Sequence, residues 1–90
     1  MSKRVYKYYL PLPCSSYDIE LPQGFKVLKV AVQHGSPVAW VAVDVSAPMT
    51  KVLASTYETG DEISEADEYW GTYVLQESDT VWHVFSEASK

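Results

Sequence analysis

One thiol, Cys14, and two imidazoles, His34 and His83, are the side chains best suited to nucleophilic or acid–base chemistry in these 90 residues. Nucleophilic catalysis needs a nucleophile within reach of a base that a third group orients. Cys14 follows Pro13 and precedes Ser15 and Ser16, with no glycine elbow, so it reads as a half-buried structural thiol. No catalytic residue is assigned. A zinc centre asks for three or four Cys or His ligands, and one Cys with two isolated His falls short. The acidic run from Glu58 to Glu68 offers oxygens for calcium but lacks the ligand spacing and central glycine of a calcium loop. Nothing in that run fixes a carboxylate pair at the separation glycoside chemistry requires. Neither a metal nor a cofactor is expected.

Binding chemistry is better represented. Seven Tyr, three Trp and two Phe make the chain 13% aromatic, more than a small core absorbs. Exposed aromatics stack on nucleobases or anchor interfaces. The candidate ligand-binding set is Tyr6, Tyr8, Trp40, Trp70 and Tyr73 for stacking, Arg4 and Lys29 for a phosphate, and His34 as a donor at a pocket rim. At Tyr69-Trp70 neighbouring side chains point to opposite faces, one to the core and one outward. The plainer readings stand beside these: aromatics are also large core side chains, His34 is a turn residue beside Gly35, and His83 between Val81 and Phe85 is a satisfied core or interface histidine. The glycines are scattered singly, so no glycine-rich phosphate loop exists. For the acidic run, the plain reading is a solvated loop. The functional one is a partner-binding surface of Glu62, Glu65, Asp67 and Glu68 that meets a basic protein.

The formal charge of −5 conceals an asymmetry. Residues 1–57 carry six bases against three acids, a balance of +3; residues 58–90 carry nine acids against Lys90, a balance of −8. An acidic total argues against general duplex binding, while the basic half keeps a small anionic ligand in play. With one cysteine, no internal disulfide framework stabilises the chain, which favours a reducing compartment. No apolar run approaches the roughly 20 residues of a membrane helix, and Met1-Ser2-Lys3-Arg4 leads into tyrosines rather than a signal-peptide core. The expected setting is the cytoplasm, with no membrane partner.

The elements that must position these residues read as strands throughout. β-Branched and aromatic residues recur in short runs bounded by Pro, Gly, Ser and Asp, with no sustained 3.6 period. The predicted strands are 3–12, 17–21, 25–34, 37–45, 50–58, 69–76 and 80–86. Pro11 and Pro13 put the end of the first at a sheet edge or outside the sheet. Strands three and four read as a central hairpin around His34-Gly35-Ser36, and the apolar run Val38 to Val43 predicts burial on both faces of strand four. The expectation is one all-β domain over 1–90: a small antiparallel sandwich or partly open barrel of about seven short strands. The alternative adds a short helical turn near 63–68. A chain this small has a thin stability margin, so a homo-oligomer is expected.

The order of several segments resembles a family of small uncharacterised proteins found mostly in phages and prophages. They are Ile19-Glu20-Leu21-Pro22-Gln23-Gly24, Val27 to Val30, Gln33-His34-Gly35-Ser36-Pro37-Val38-Ala39-Trp40, Val43-Asp44 with Ala47-Pro48, Thr59-Gly60, Tyr69 with Gly71-Thr72, and Val81 to Phe85. The resemblance runs from Ile19 onward and leaves out residues 1–18 and 61–68. It implies a β-rich fold and a phage context, with no activity to carry over. Context by analogy then gives the functional expectation: a non-enzymatic anti-defence protein that sequesters a small anionic nucleotide-type signal as a homo-oligomer. The alternatives are an inhibitor that covers a host defence protein with its acidic and aromatic surface, or an accessory structural phage protein.

Overall fold

The computed structural model describes residues 2–11, 16–63, 67–76 and 78–87, and all regular structure in them is β. The strands are β1 (Lys3–Tyr9), β2 (Tyr17–Pro22), β3 (Lys26–Gln33), β4 (Ser36–Asp44), β5 (Met49–Glu58), β6 (Glu68–Leu75) and β7 (Thr80–Ser86). Each predicted strand is present with its ends moved by a few residues. β1 stops earliest against expectation, because Pro11 has no amide to continue the ladder; Leu10 still donates to the Pro37 carbonyl at 2.9 Å. Ile63 and Asp67 belong to no helix; residues 64–66 of the proposed helical turn, and Cys14, lie outside the described residues.

The strands form two antiparallel sheets, β1-β4-β3 and β2-β5-β7-β6. The outcome is therefore a sandwich, not closed into a barrel. Alternation places Ala39, Val41 and Val43 of β4 on the inner face, where each is at most 1% exposed. They pack in one cluster with Leu21, Val52, Ala54 and Val84 of the other sheet and with Trp70 and Tyr73. Burying each of these larger apolar side chains is worth about 1.5–3 kcal/mol. Expected burial on both faces of β4 holds only in part: Val38 on the outer face is fully buried between its register partners Tyr9 and Ala31, while Trp40 and Ala42 are half-buried.

The sheets meet along one side, where β3 lies against β6. Both strands carry a β-bulge there, between Val27 and Lys29 and between Tyr69 and Gly71. A Cβ on Gly71 would stand 2.7 Å from the Val30 Cβ, so only glycine lets the strands approach this closely. On the opposite side β1 and β2 have no further strand neighbour among the described residues.

Two turns fix strand ends. His34 (φ 52°) and Gly35 (φ 80°) make the two-residue hairpin turn in which both residues are left-handed. After β4, the Asp44 carboxylate accepts from the Ser46 hydroxyl (2.6 Å) and the Ser46 amide (3.0 Å), and Val45 N–H donates to the Ser2 carbonyl. The Ser46 hydroxyl, then the Ser46 amide, with Lys3 adding its charge, hold the Asp44 carboxyl below its usual range.

Two outcomes follow. Gly71→Ala should lower unfolding free energy by about 1–3 kcal/mol in urea titrations, because the extra methyl overpacks the β3–β6 contact. A depressed folded-state pKa contributes stability above the ordinary carboxylate value and loses it as pH falls. Asp44→Ala should therefore melt below the wild type at pH 7, with the gap narrowing below about pH 4; a gap independent of pH would contradict that linkage.

Candidate functional site

Antiparallel partners share a face, so the register of β1-β4-β3 lays out the outer surface of that sheet in rows. Lys3 faces Asp44; Val5, Ala42 and Lys26 form the next row; then come Lys7, Trp40 and Lys29; then Tyr9, Val38 and Ala31. Trp40 is thus flanked on one side by Lys7 and on the other by Lys29. The β3 bulge makes this possible. Leu28 is the extra residue, half exposed, and it resets the alternation so that Val27 and Val30 point inward while Lys26 and Lys29 point outward.

The Lys7 side chain crosses the face: its Nζ donates to Gln33 Oε1 at 2.6 Å and stands 5.1 Å from the centre of the Tyr9 ring, a cation–π distance. Tyr9 is 66% and Val5 57% exposed. The face therefore combines four lysines, one acid at its end, a half-buried indole and an exposed phenol. Such a surface can stack a planar ring and neutralise an anion.

The predicted ligand residues separate into four places. Lys29 and Trp40 come together on this face. Arg4, Tyr6 and Tyr8 are on the same strand as Lys7 but on its other side, in register with Val43, Val41 and Ala39. There, burial first and the neighbouring Tyr6 second push the Tyr8 phenol above its ordinary pKa. Trp70 and Tyr73 are core residues at 8% and 3% exposure, and Trp70 packs edge-on to Phe25 at 6.0 Å. Burial leaves neither ring a face for a ligand, which corrects their place in the set. Of the Tyr69-Trp70 pair, Tyr69 is the outward one, at 60% exposure.

His34 stands at the rim of a cleft of about 780 Å3 between two hairpin ends, lined by Val32, Gly35, Ser36, Val74, Leu75, Gln76 and Ser78 as well. Among the described residues no lysine or arginine lines it, so it lacks the fixed positive charge of the lysine-flanked face. Sequence reasoning missed Lys7, Tyr9, Val5 and Lys26. The irregular spacing of Val27, Val30 and Val32 was the available signal of a bulge.

The outer face of the other sheet is different in character. His83 bonds Thr59 through Nε2 (2.8 Å) and Thr72 through Nδ1 (3.0 Å), so it is the satisfied histidine its position implied. Phe85 packs between Tyr57 (5.8 Å) and Tyr69 (5.3 Å), and Tyr57 Oη donates to Asp67 at 3.2 Å. Glu62 and Glu68 are exposed and Asp67 half-buried; Glu65 lies outside the described residues. Among the described residues no cluster of three or more His, Cys, Asp or Glu is placed to hold a metal ion, and no helix is long and apolar enough to cross a membrane.

A family model described as a domain of unknown function, DUF7352, matches residues 1–90. The chain belongs to this family. The match takes in residues 1–18 and 61–68, which the motif order alone left out, so in DUF7352 the basic first strand is part of the domain. No curated protein and no solved structure matches the chain.

Trp40 is the indole on the outer face, whereas Trp70 is buried and the Trp82 Nε1 is shut off from solvent. Trp40→Phe should therefore remove most of the iodide-quenchable tryptophan fluorescence, and Trp70→Phe should leave it in place.

Proposed function

We propose that this DUF7352 chain is a binding protein that captures a small anionic ligand of nucleotide type on the outer face of β1-β4-β3. The observation that carries the reading is Trp40 set between Lys7 and Lys29. The indole gives a ring to stack on, and a base on either side meets phosphate wherever it leaves the stacked ring. Tyr9 and Gln33 extend the face with a second ring and an amide. The hydroxyl–imidazole series Thr59, His83 and Thr72 lies on the outer face of the other sheet, away from Trp40, so the role read from the β1-β4-β3 face is capture rather than turnover. The resemblance to phage and prophage proteins supplies the setting, an anti-defence protein that withdraws a nucleotide signal in the host cytoplasm.

A second reading rests on the opposite face, where exposed Tyr69 lies beside Glu68 and Asp67. That acidic, aromatic patch suits the basic surface of a host protein. The two readings use different residues and separate cleanly.

Calorimetric titration with a panel of mononucleotides, cyclic nucleotides and ADP-ribose derivatives tests the first. Binding is expected, weakening roughly tenfold or more in Lys7→Glu/Lys29→Glu and in Trp40→Ala, each stacking or charged contact being worth about 1–3 kcal/mol. Glu62→Gln/Asp67→Asn/Glu68→Gln should bind as the wild type does. No binding across the panel, or binding indifferent to Trp40 and both lysines, would overturn the proposal.

A further inference from the structure

The outer face of β2-β5-β7-β6 holds a chain of hydrogen bonds that ligand capture on the other sheet does not use. Register sets its rows: Ser55, Phe85 and Tyr69, then Tyr57, His83 and Thr72, then Val81 and Val74. His83 is half-buried on β7 and bonded at both nitrogens. Nε2 meets the exposed Thr59 Oγ1 at 2.8 Å, and Nδ1 meets Thr72 Oγ1 at 3.0 Å. The Thr72 hydroxyl is bonded in turn to the Tyr69 hydroxyl, which holds it in place.

A tight turn carries Thr59 to this position just past the end of β5. The Asp61 amide donates to the Glu58 carbonyl at 3.1 Å, and the Asp61 carboxylate accepts from the Glu58 amide at 2.9 Å. Gly60 completes the turn in the left-handed region, at φ 100°. Its amide makes no hydrogen bond among the described residues.

We infer that Thr59, His83 and Thr72 are the nucleophile, base and orienting group of an acyl-transfer site that hydrolyses small uncharged or cationic esters. Both imidazole distances fall within the roughly 2.6–3.2 Å over which a base activates a hydroxyl and a third group steadies the base. With its ring proton on Nδ1, His83 donates to Thr72 and keeps the Nε2 lone pair for the Thr59 hydroxyl. Thr59 Oγ1 bonds to the ester carbonyl carbon as its proton passes to Nε2, and the Gly60 amide faces the oxyanion. The bond from that carbon to the alcohol oxygen breaks, and the alcohol leaves with the proton. A water deprotonated at Nε2 then releases the acid and restores Thr59. Tyr69 acts through Thr72 as a second positioning residue.

The neighbours set the substrate class. Val81 and Val74, at 36% and 43% exposure, lie on one side of His83 and Phe85 on the other, giving an acyl group apolar surface in both directions. Glu58 and Asp61 flank Thr59 and Gly60, and Asp67 holds the Tyr57 hydroxyl, so carboxylates and phosphates are repelled.

Labelling with an uncharged fluorophosphonate, which modifies activated hydroxyls, followed by peptide mass mapping tests the assignment alongside para-nitrophenyl butyrate hydrolysis. One adduct on Thr59 is expected in the wild type and in Thr59→Ser, and none in Thr59→Ala. His83→Gln should slow labelling and hydrolysis by roughly 100-fold or more. Thr72→Val should slow both by about tenfold while Thr72→Ser keeps them, with far-ultraviolet circular dichroism matching the wild type in each variant. Trp40→Ala should change neither rate, which separates this site from the nucleotide face. A wild-type Thr59 that takes no adduct, labelling indifferent to His83→Gln, or hydrolysis unchanged in Thr59→Ala would each overturn the inference.

Discussion

Two bulges on facing strands, at Leu28 in β3 and Trp70 in β6, are the constraint on which the rest of this domain depends. They lie where the two sheets touch, and Gly71 removes the one Cβ that would hold the strands apart from Val30. In β6 the extra residue resets the alternation so that Gly71 and Tyr73 face inward in register with Val84 and Trp82, while Thr72 faces outward beside His83. In β3 the extra residue changes which lysines face outward. The same irregularity that lets the sandwich close on one side therefore sets the chemistry of its outer surface.

That surface gives the charge asymmetry a place. Lys3, Lys7, Lys26 and Lys29 are gathered on the outside of β1-β4-β3, with Asp44 at the end, while Asp18 and Glu20 line the edge of the other sheet and Glu68 begins β6. The two halves of the chain contribute largely to different faces, so a net charge of −5 coexists with a basic, aromatic platform. The clefts and patches elsewhere lack one part of that combination. The hairpin-end cleft beside His34 has shape without charge, and the Tyr57-Phe85-Tyr69 surface has rings beside acids.

Strand order along the chain and the hairpin at His34-Gly35 were legible because period-two alternation and turn residues report local physics directly, whereas the apolar run of β4 read as buried on both faces and is so only in part. The candidate site was legible only in part. Lys29 and Trp40 were found as residue types, but their adjacency depends on a register that a bulge shifts. Lys7 and Tyr9 joined them through pairing across β4, which no local pattern states. Trp70 and Tyr73 went astray for the converse reason: an aromatic ring beside a glycine reads equally well as surface or core, and tertiary packing decided for the core.

The central claim is that the β3 bulge makes Trp40 and its flanking lysines one ligand face. Chemical-shift mapping of the isotope-labelled chain during titration with a nucleotide from the panel tests it most directly. The account predicts shifts at the Trp40 indole N–H and along the rows of Lys7, Lys29, Tyr9 and Gln33, with Tyr57, Phe85 and His83 unmoved. Shifts confined to His34, Gln76 and Ser78 around the hairpin-end cleft, or none anywhere, would contradict it.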